Sequence, residues 1–79
     1  MIKTLINNGA MLINEGEETE LTMEFYKQTI KICKRLGING AGFELRMPGI
    51  EGPLELWIWK DGRVWSGCKE NIARCLEEV

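Results

Sequence analysis

Residues 18–36 read ETELTMEFYKQTIKICKRL, and this stretch decides the fold class. At ~100° per residue, its apolar side chains and threonines fall in one arc of roughly 200°, and its charged side chains take the rest. Acidic residues begin the stretch and basic residues end it, as the helix dipole prefers, and Gly37 follows as a left-handed stop. The pattern predicts a long amphipathic helix from Glu18 to Leu36.

Three short strands are predicted after this helix. Phe43–Met47 alternates apolar and charged residues, and Leu54–Trp59 begins a second strand after a connection, residues 48–53, that holds both prolines of the chain. The pair Asp61-Gly62 favours a two-residue hairpin turn, from which Val64–Ser66 returns as the third strand. This order indicates an antiparallel sheet covered by a helix.

The register between these strands predicts which side chains share a face. We expect Arg46 to oppose Glu55, which is a favourable pair and sets Phe43 opposite Ile58. A two-residue turn then sets Ile58 against Trp65. The predicted core face holds Phe43, Leu45, Met47, Leu54, Leu56, Ile58 and Trp65. The predicted opposite face holds Glu44, Arg46, Glu55, Trp57, Trp59 and Val64.

The two ends of the chain complete the predicted fold. Cys68–Val79 has an apolar stripe that predicts a closing helix beside the long one. For the opening segment we favour a helix from Ile2 to Glu15, although Asn8-Gly9 between two apolar runs is also a hairpin signal. Residues 1–79 are then a single small two-layer α+β domain, with element order α-α-β-β-β-α and a three-stranded antiparallel sheet.

The composition disfavours most catalytic chemistry. The 79 residues include three cysteines and no histidine, and 10 basic against 12 acidic residues give a net charge of −2. Aspartate, serine and tyrosine occur once each, so nucleophile-and-base arrangements lack their parts, and the cysteines lack the short spacing of a zinc knuckle. We therefore expect that the protein is not an enzyme and that it has no cofactor and no metal site. One alternative is a thiol-dependent enzyme or redox protein at Cys68, which Lys69 and a helix N-terminus would activate.

The sequence also predicts a compartment. Residues 1–8 are too short and too broken by asparagines for a signal-peptide core, and no apolar run approaches the ~20 residues that a membrane span needs. An odd number of cysteines favours a reducing compartment. We therefore expect a cytoplasmic protein with no membrane partner.

Two tryptophans on the predicted solvent face carry the functional prediction. They form more apolar surface than a monomer usually leaves bare, unless the N-terminal segment covers them as a third layer. Tryptophan and arginine dominate interface hot spots, so the sequence predicts a non-catalytic protein-binding module, with homodimerisation as one form of it. The candidate partner-binding residues are Trp57, Trp59, Val64, Arg46, Glu44 and Glu55.

An acidic surface is predicted at the start of the long helix, and it consists of Glu15, Glu17, Glu18, Glu20 and Glu24. It would steer the chain toward a basic protein partner, whereas the alternative is that these residues only complement the helix dipole. The small size, the acidity and the lack of catalytic groups suit an inhibitor of a larger nucleic-acid-handling complex. Phages and mobile elements encode inhibitors of this class, among them anti-CRISPR proteins.

An RNA-binding domain is the other alternative. The order α-β-β-β-α resembles that of double-stranded-RNA-binding domains, but many small α+β domains share it, so it identifies no family. The residues that would contact phosphates or stack on bases are Arg46, Lys60, Arg63, Trp57 and Trp59. The last predicted helix lacks a lysine cluster at its start, and a net charge of −2 makes a poor phosphate ligand. Nucleic acid is therefore the less favoured partner.

Overall fold

A five-stranded antiparallel sheet with a long helix on one face forms the framework of the protein. The computed structural model describes residues 1–67. In chain order the elements are α1 (Ile2–Asn7), β1 (Met11–Asn14), β2 (Glu17–Glu20), α2 (Met23–Leu36), β3 (Gly40–Arg46), β4 (Leu54–Trp59) and β5 (Val64–Gly67). The strand order is β2-β1-β3-β4-β5. The α+β class is confirmed, the sheet has five strands rather than three, and the predicted helix at Cys68–Val79 lies outside the described residues.

The long helix starts later than the sequence predicts. α2 begins at Met23 behind Thr22, whose Oγ1 accepts a hydrogen bond from the backbone N–H of Phe25 at 3.1 Å. The preceding Glu17–Glu20 forms β2, so the predicted start at Glu18 is wrong. These four residues offer no apolar side chain to the core, and as a strand their backbone pairs with β1.

The opening segment is part helix and part hairpin. α1 ends at Asn7, where Gly9 follows with a φ of 80° and allows a left-handed closure of the helix. The chain continues into β1, and Glu15 and Gly16, with φ of 52° and 84°, form the tight turn into β2. The predicted helix from Ile2 is therefore wrong beyond Asn7, and the hairpin turns at Glu15-Gly16 rather than at Asn8-Gly9.

β3 and β4 pair two residues away from the predicted register. Leu45 lies opposite Leu54, and Glu55 faces Glu44 instead of Arg46. Since side chains alternate with period two, a shift of two residues leaves every side chain on its predicted face. β1 adds another leucine directly opposite Leu45, so a row of three leucines crosses the centre of the sheet on its buried side. Burial of this row outweighs the single surface charge pair on which the predicted register rested.

The loop between β4 and β5 has three residues, Lys60–Gly62, not two. The backbone N–H of Trp59 donates to the carbonyl of Arg63 at 2.9 Å, and the N–H of Gly62 donates to the carbonyl of Trp59 at 3.0 Å. Gly62 has a φ of 95°, which is the left-handed position that ends a three-residue hairpin loop. The predicted two-residue turn at Asp61-Gly62 is therefore wrong by one residue.

This extra loop residue exchanges the two faces of β5. Val64 lies opposite Ile58 on the buried side of the sheet, and Trp65 lies opposite Trp57 on the other side. The sequence predicted the reverse for Val64 and Trp65, because a slip of one residue moves every side chain of a strand to the opposite face.

The core lies between the helices and the inner face of the sheet, which is the face that α2 covers. Phe25 of α2 packs edge-on against Phe43 of β3, with ring centroids 5.0 Å apart at an interplanar angle of 71°. No helix within residues 1–67 is both long and apolar enough to cross a membrane. The buried core residues are Ile2, Leu5, Ala10, Leu12, Leu21, Leu45, Met47, Leu54, Leu56 and Ile58.

Candidate functional site

The outer face is the surface of the sheet opposite to α2. The strand registers place on it Met11, Ile13, Glu18, Glu20, Gly40, Gly42, Glu44, Arg46, Glu55, Trp57, Trp59 and Trp65. Of the six candidate partner-binding residues, Val64 alone lies on the inner face. The N-terminal segment does not cover the tryptophans, because α1 contacts α2 and contributes Ile2 and Leu5 to the core on the inner side.

Trp57 lies flat across two glycines of the neighbouring strand. A Cβ atom added at Gly42 would come within 2.8 Å of the Trp57 ring, and one added at Gly40 would come within 2.7 Å of its Nε1. The ring therefore occupies the space that side chains of β3 would otherwise fill. Trp57 is nonetheless 38% exposed. The result is a flat, solvent-facing aromatic surface rather than a buried side chain.

Trp59 contacts both Trp57 and a cation. The two indole rings meet edge-on, with centroids 6.2 Å apart at 68°. The guanidinium of Arg63 lies over the Trp59 ring, 5.0 Å from its centroid. Together with Trp65, which lies directly opposite Trp57, these residues form an aromatic cluster with arginine at its border.

Hydrogen bonds to α2 and to the residue before β3 fix the loop that carries this arginine. Tyr26 of α2 donates its hydroxyl hydrogen to the carbonyl of Gly62, and the backbone N–H of Lys60 donates to the carbonyl of Asn39 at 2.8 Å. The backbone N–H of Arg63 donates to Asp61 Oδ1 at 3.1 Å and holds the pKa of that carboxyl below its ordinary value. The Arg63 guanidinium, whose Nε lies 2.8 Å from Asp61 Oδ2, lowers that pKa further.

The other end of the outer face is acidic. Glu44 and Glu55 are exposed and lie directly opposite each other across β3 and β4, a like-charge arrangement that costs stability. Arg46 does not neutralise them, since its Nη1 makes an ion pair with Glu18 Oε1 at 3.0 Å. The aromatic cluster and this acidic end occupy opposite ends of β3 and β4.

The predicted acidic surface divides between two elements. Glu15, Glu17, Glu18 and Glu20 lie on the β1–β2 hairpin, and Glu24 lies in the first turn of α2. All five are exposed. Because the hairpin residues are outside the helix, complementing the helix dipole explains Glu24 alone.

Sequence reasoning missed Trp65 and the two glycines under Trp57. The signal for Trp65 was Gly62, which suits the last position of a three-residue loop as well as the second position of a two-residue turn. The signal for the glycines was their spacing of two, which puts Gly40 and Gly42 on one face of a strand.

Of the three cysteines, only Cys33 lies in the part of the chain that the structure describes. Cys33 is buried in α2, and Cys68 and Cys75 lie outside the described residues, as does the predicted activation of Cys68. Within residues 1–67, no three side chains of cysteine, histidine, aspartate or glutamate lie close enough together to hold a metal ion.

No protein-family model, curated protein or solved structure matches this chain. The geometry and chemistry of the outer face are therefore the basis for a functional assignment.

Proposed function

We propose that this chain is a non-catalytic protein-binding module that contacts another protein chain through its outer face. The observation that supports this most directly is Trp57, a large aromatic ring held flat on Gly40 and Gly42 and still 38% exposed. Such a ring presents a large apolar area at a small entropic cost, because its position is fixed before any partner arrives.

The surroundings of Trp57 have the composition of an interface. Trp59 and Trp65 extend the apolar area, and Arg63 stacks at its border. Carboxylates lie on the same face outside the aromatic cluster. Tryptophan and arginine are the residues most enriched in binding hot spots, and a polar border excludes water from the centre. A protein surface suits this arrangement better than RNA does, because Glu18, Glu20, Glu44 and Glu55 would face the phosphates.

The test is photo-crosslinking from this face in the native host, with the full chain. Trp57→p-benzoylphenylalanine keeps an aromatic ring at the centre of the face. The matched control is Leu36→p-benzoylphenylalanine, at a position 64% exposed at the end of α2. We expect a discrete protein adduct from position 57 and none from position 36. Equal adducts from both positions, or an RNA adduct whose yield falls steeply with salt, would overturn the proposal.

A second variant separates binding from folding. Trp57→Ala combined with Trp59→Ala should leave the circular dichroism spectrum unchanged, while a photo-crosslinker at position 65 loses its adduct. Unfolding of this double variant would show that the rings belong to the core. The identity of the adduct also tests the narrower prediction of an inhibitor of a nucleic-acid-handling complex.

A further inference from the structure

We propose that the occupant of the outer face is a second copy of this chain, placed face to face with the first by a two-fold axis. This inference rests on the proposed function and names the partner of the same site. It is carried by the distribution of charge along the face, which is complementary to itself.

The two ends of the outer face carry opposite charge. The acidic end holds Glu18, Glu20, Glu44 and Glu55 with Arg46, so four negative charges and one positive charge give −3. The β4–β5 loop at the aromatic end carries the exposed residues Lys60, Asp61 and Arg63, so two positive charges and one negative charge give +1.

A two-fold axis in the plane of the face, passing close to Trp57, exchanges these ends. The aromatic end of each copy then lies over the acidic end of the other, and an isologous contact makes this favourable pairing twice. It also supplies a cation to Glu44 and Glu55, which oppose each other without a neutralising partner on their own chain within residues 1–67.

The β2 edge of the sheet is less suited to a second copy than the outer face is. β2 is one edge, and three of its four residues are glutamates, all exposed. Pairing two β2 edges would bring these glutamates together, which is the arrangement that charged edge strands prevent. The outer face, whose two ends differ in charge, is therefore a better contact surface for a second copy than the β2 edge.

The size of the face predicts a weak dimer. Five strands spaced by ~4.8 Å and on average about five residues long at ~3.3 Å per residue give a face of roughly 400 Å². Stable interfaces bury about 800 Å² per partner, and this face is smaller. We therefore expect a weak dimer with a dissociation constant in about the micromolar range.

Sedimentation velocity on paired charge variants of the full chain tests this arrangement. Variant A carries Lys60→Glu and Arg63→Glu, so both ends of its face carry −3. Variant B carries Glu44→Lys and Glu55→Lys, so both ends carry +1. We expect wild type to dimerise over ~1–500 μM, and A and B alone to dimerise at least tenfold more weakly. An equimolar mixture of A and B should recover wild-type affinity, because it restores the −3 to +1 pairing at both ends.

Controls identify the surface involved. Lys31→Glu with Lys34→Glu makes the same charge change as variant A on exposed residues of α2, and it should leave the dimer intact. Loss of the dimer in Leu36→Ser, with variants A and B unaffected, would place the contact at the end of α2 and overturn the inference.

Failure of this inference is distinguishable from failure of the proposed function. A wild-type chain that stays monomeric to the highest concentration, while position 57 crosslinks to a different protein, would overturn the second copy and leave the binding face standing. A monomer with no adduct at position 57 would remove both.

Discussion

The inner and outer faces of the sheet are built from alternate residues of the same strands, yet they pack in opposite ways. On the inner face of β4, Ile58 is 0% exposed and meets other branched apolar side chains beneath α2. On the outer face the adjacent Trp57 lies over glycine. The inner face is filled by apolar side chains of the sheet that pack together beneath a helix. On the outer face Trp57 lies over Gly42 of the neighbouring strand, and within residues 1–67 no helix covers it.

The largest expected difference between the faces is in stability. Ile58→Ala should lower the free energy of unfolding by ~2–5 kcal/mol, because it leaves a cavity in a closed core. Trp57→Ala removes a larger side chain but should cost only about 1 kcal/mol, since water can occupy the space. Urea denaturation followed by circular dichroism measures both. Ile58→Val, expected to cost ~0.5–1.5 kcal/mol, covers the case in which the alanine variant does not fold. Equal losses for Ile58→Ala and Trp57→Ala would remove the distinction between the faces.

A smaller effect tests the packing of the Trp57 ring against Gly42. Gly42→Ala should cost about 1 kcal/mol, because the new Cβ meets the Trp57 ring at 2.8 Å and displaces it, which costs no more than loss of the ring. In a Trp57→Ala background the same change should cost little, so a double-mutant cycle gives a coupling energy of similar size. Gly40→Ala is the matched control. Its Cβ would also meet the backbone oxygen of Ile58 at 2.6 Å, so removing the ring should not relieve its cost.

The smallest effect concerns the loop between β4 and β5. Asp61 has a lowered pKa in the folded chain, so its contribution to loop stability is present above the ordinary aspartate pKa and is lost as pH falls through the lowered value. We expect the indole N–H of Trp59, followed by NMR, to shift with a midpoint below the ordinary value. The methyl signals of Ile58 on the inner face should not follow it.

Two variants check this assignment. Asp61→Asn should abolish the transition. Arg63→Gln should raise its midpoint only in part, because the backbone N–H of Arg63 remains as the main donor to the carboxylate. A midpoint at the ordinary value in wild type would show that the loop does not hold the carboxylate in solution.

The sequence predicted the faces of β3 and β4 more reliably than their pairing. Alternation along Phe43–Met47 and Leu54–Trp59 assigns each residue to a face, and a two-residue error in register leaves that assignment intact. In β5 the alternation spans too few residues to correct a wrong turn. There the choice between a two-residue and a three-residue loop decided the side of Trp65, and Gly62 is compatible with both.

The N-terminal part of the chain shows the limit of helical periodicity. The apolar arc of the long helix is carried by residues from Leu21 onward, and the glutamates before it fit a charged helix face and an exposed edge strand equally well. This hairpin enters the sheet through the pairing of β1 with β3. The paired residues are far apart in sequence, so no local sequence pattern predicts the pairing.

The position of the tryptophans has a spectroscopic consequence. All three tryptophans of the chain, Trp57, Trp59 and Trp65, lie on the outer face, and none belongs to the core. Intrinsic fluorescence of this protein therefore reports on whether the outer face is covered more than on whether the chain is folded. Occupation of the face should shift the tryptophan emission toward shorter wavelengths, so the chain carries its own label for the surface that we propose to be its interface.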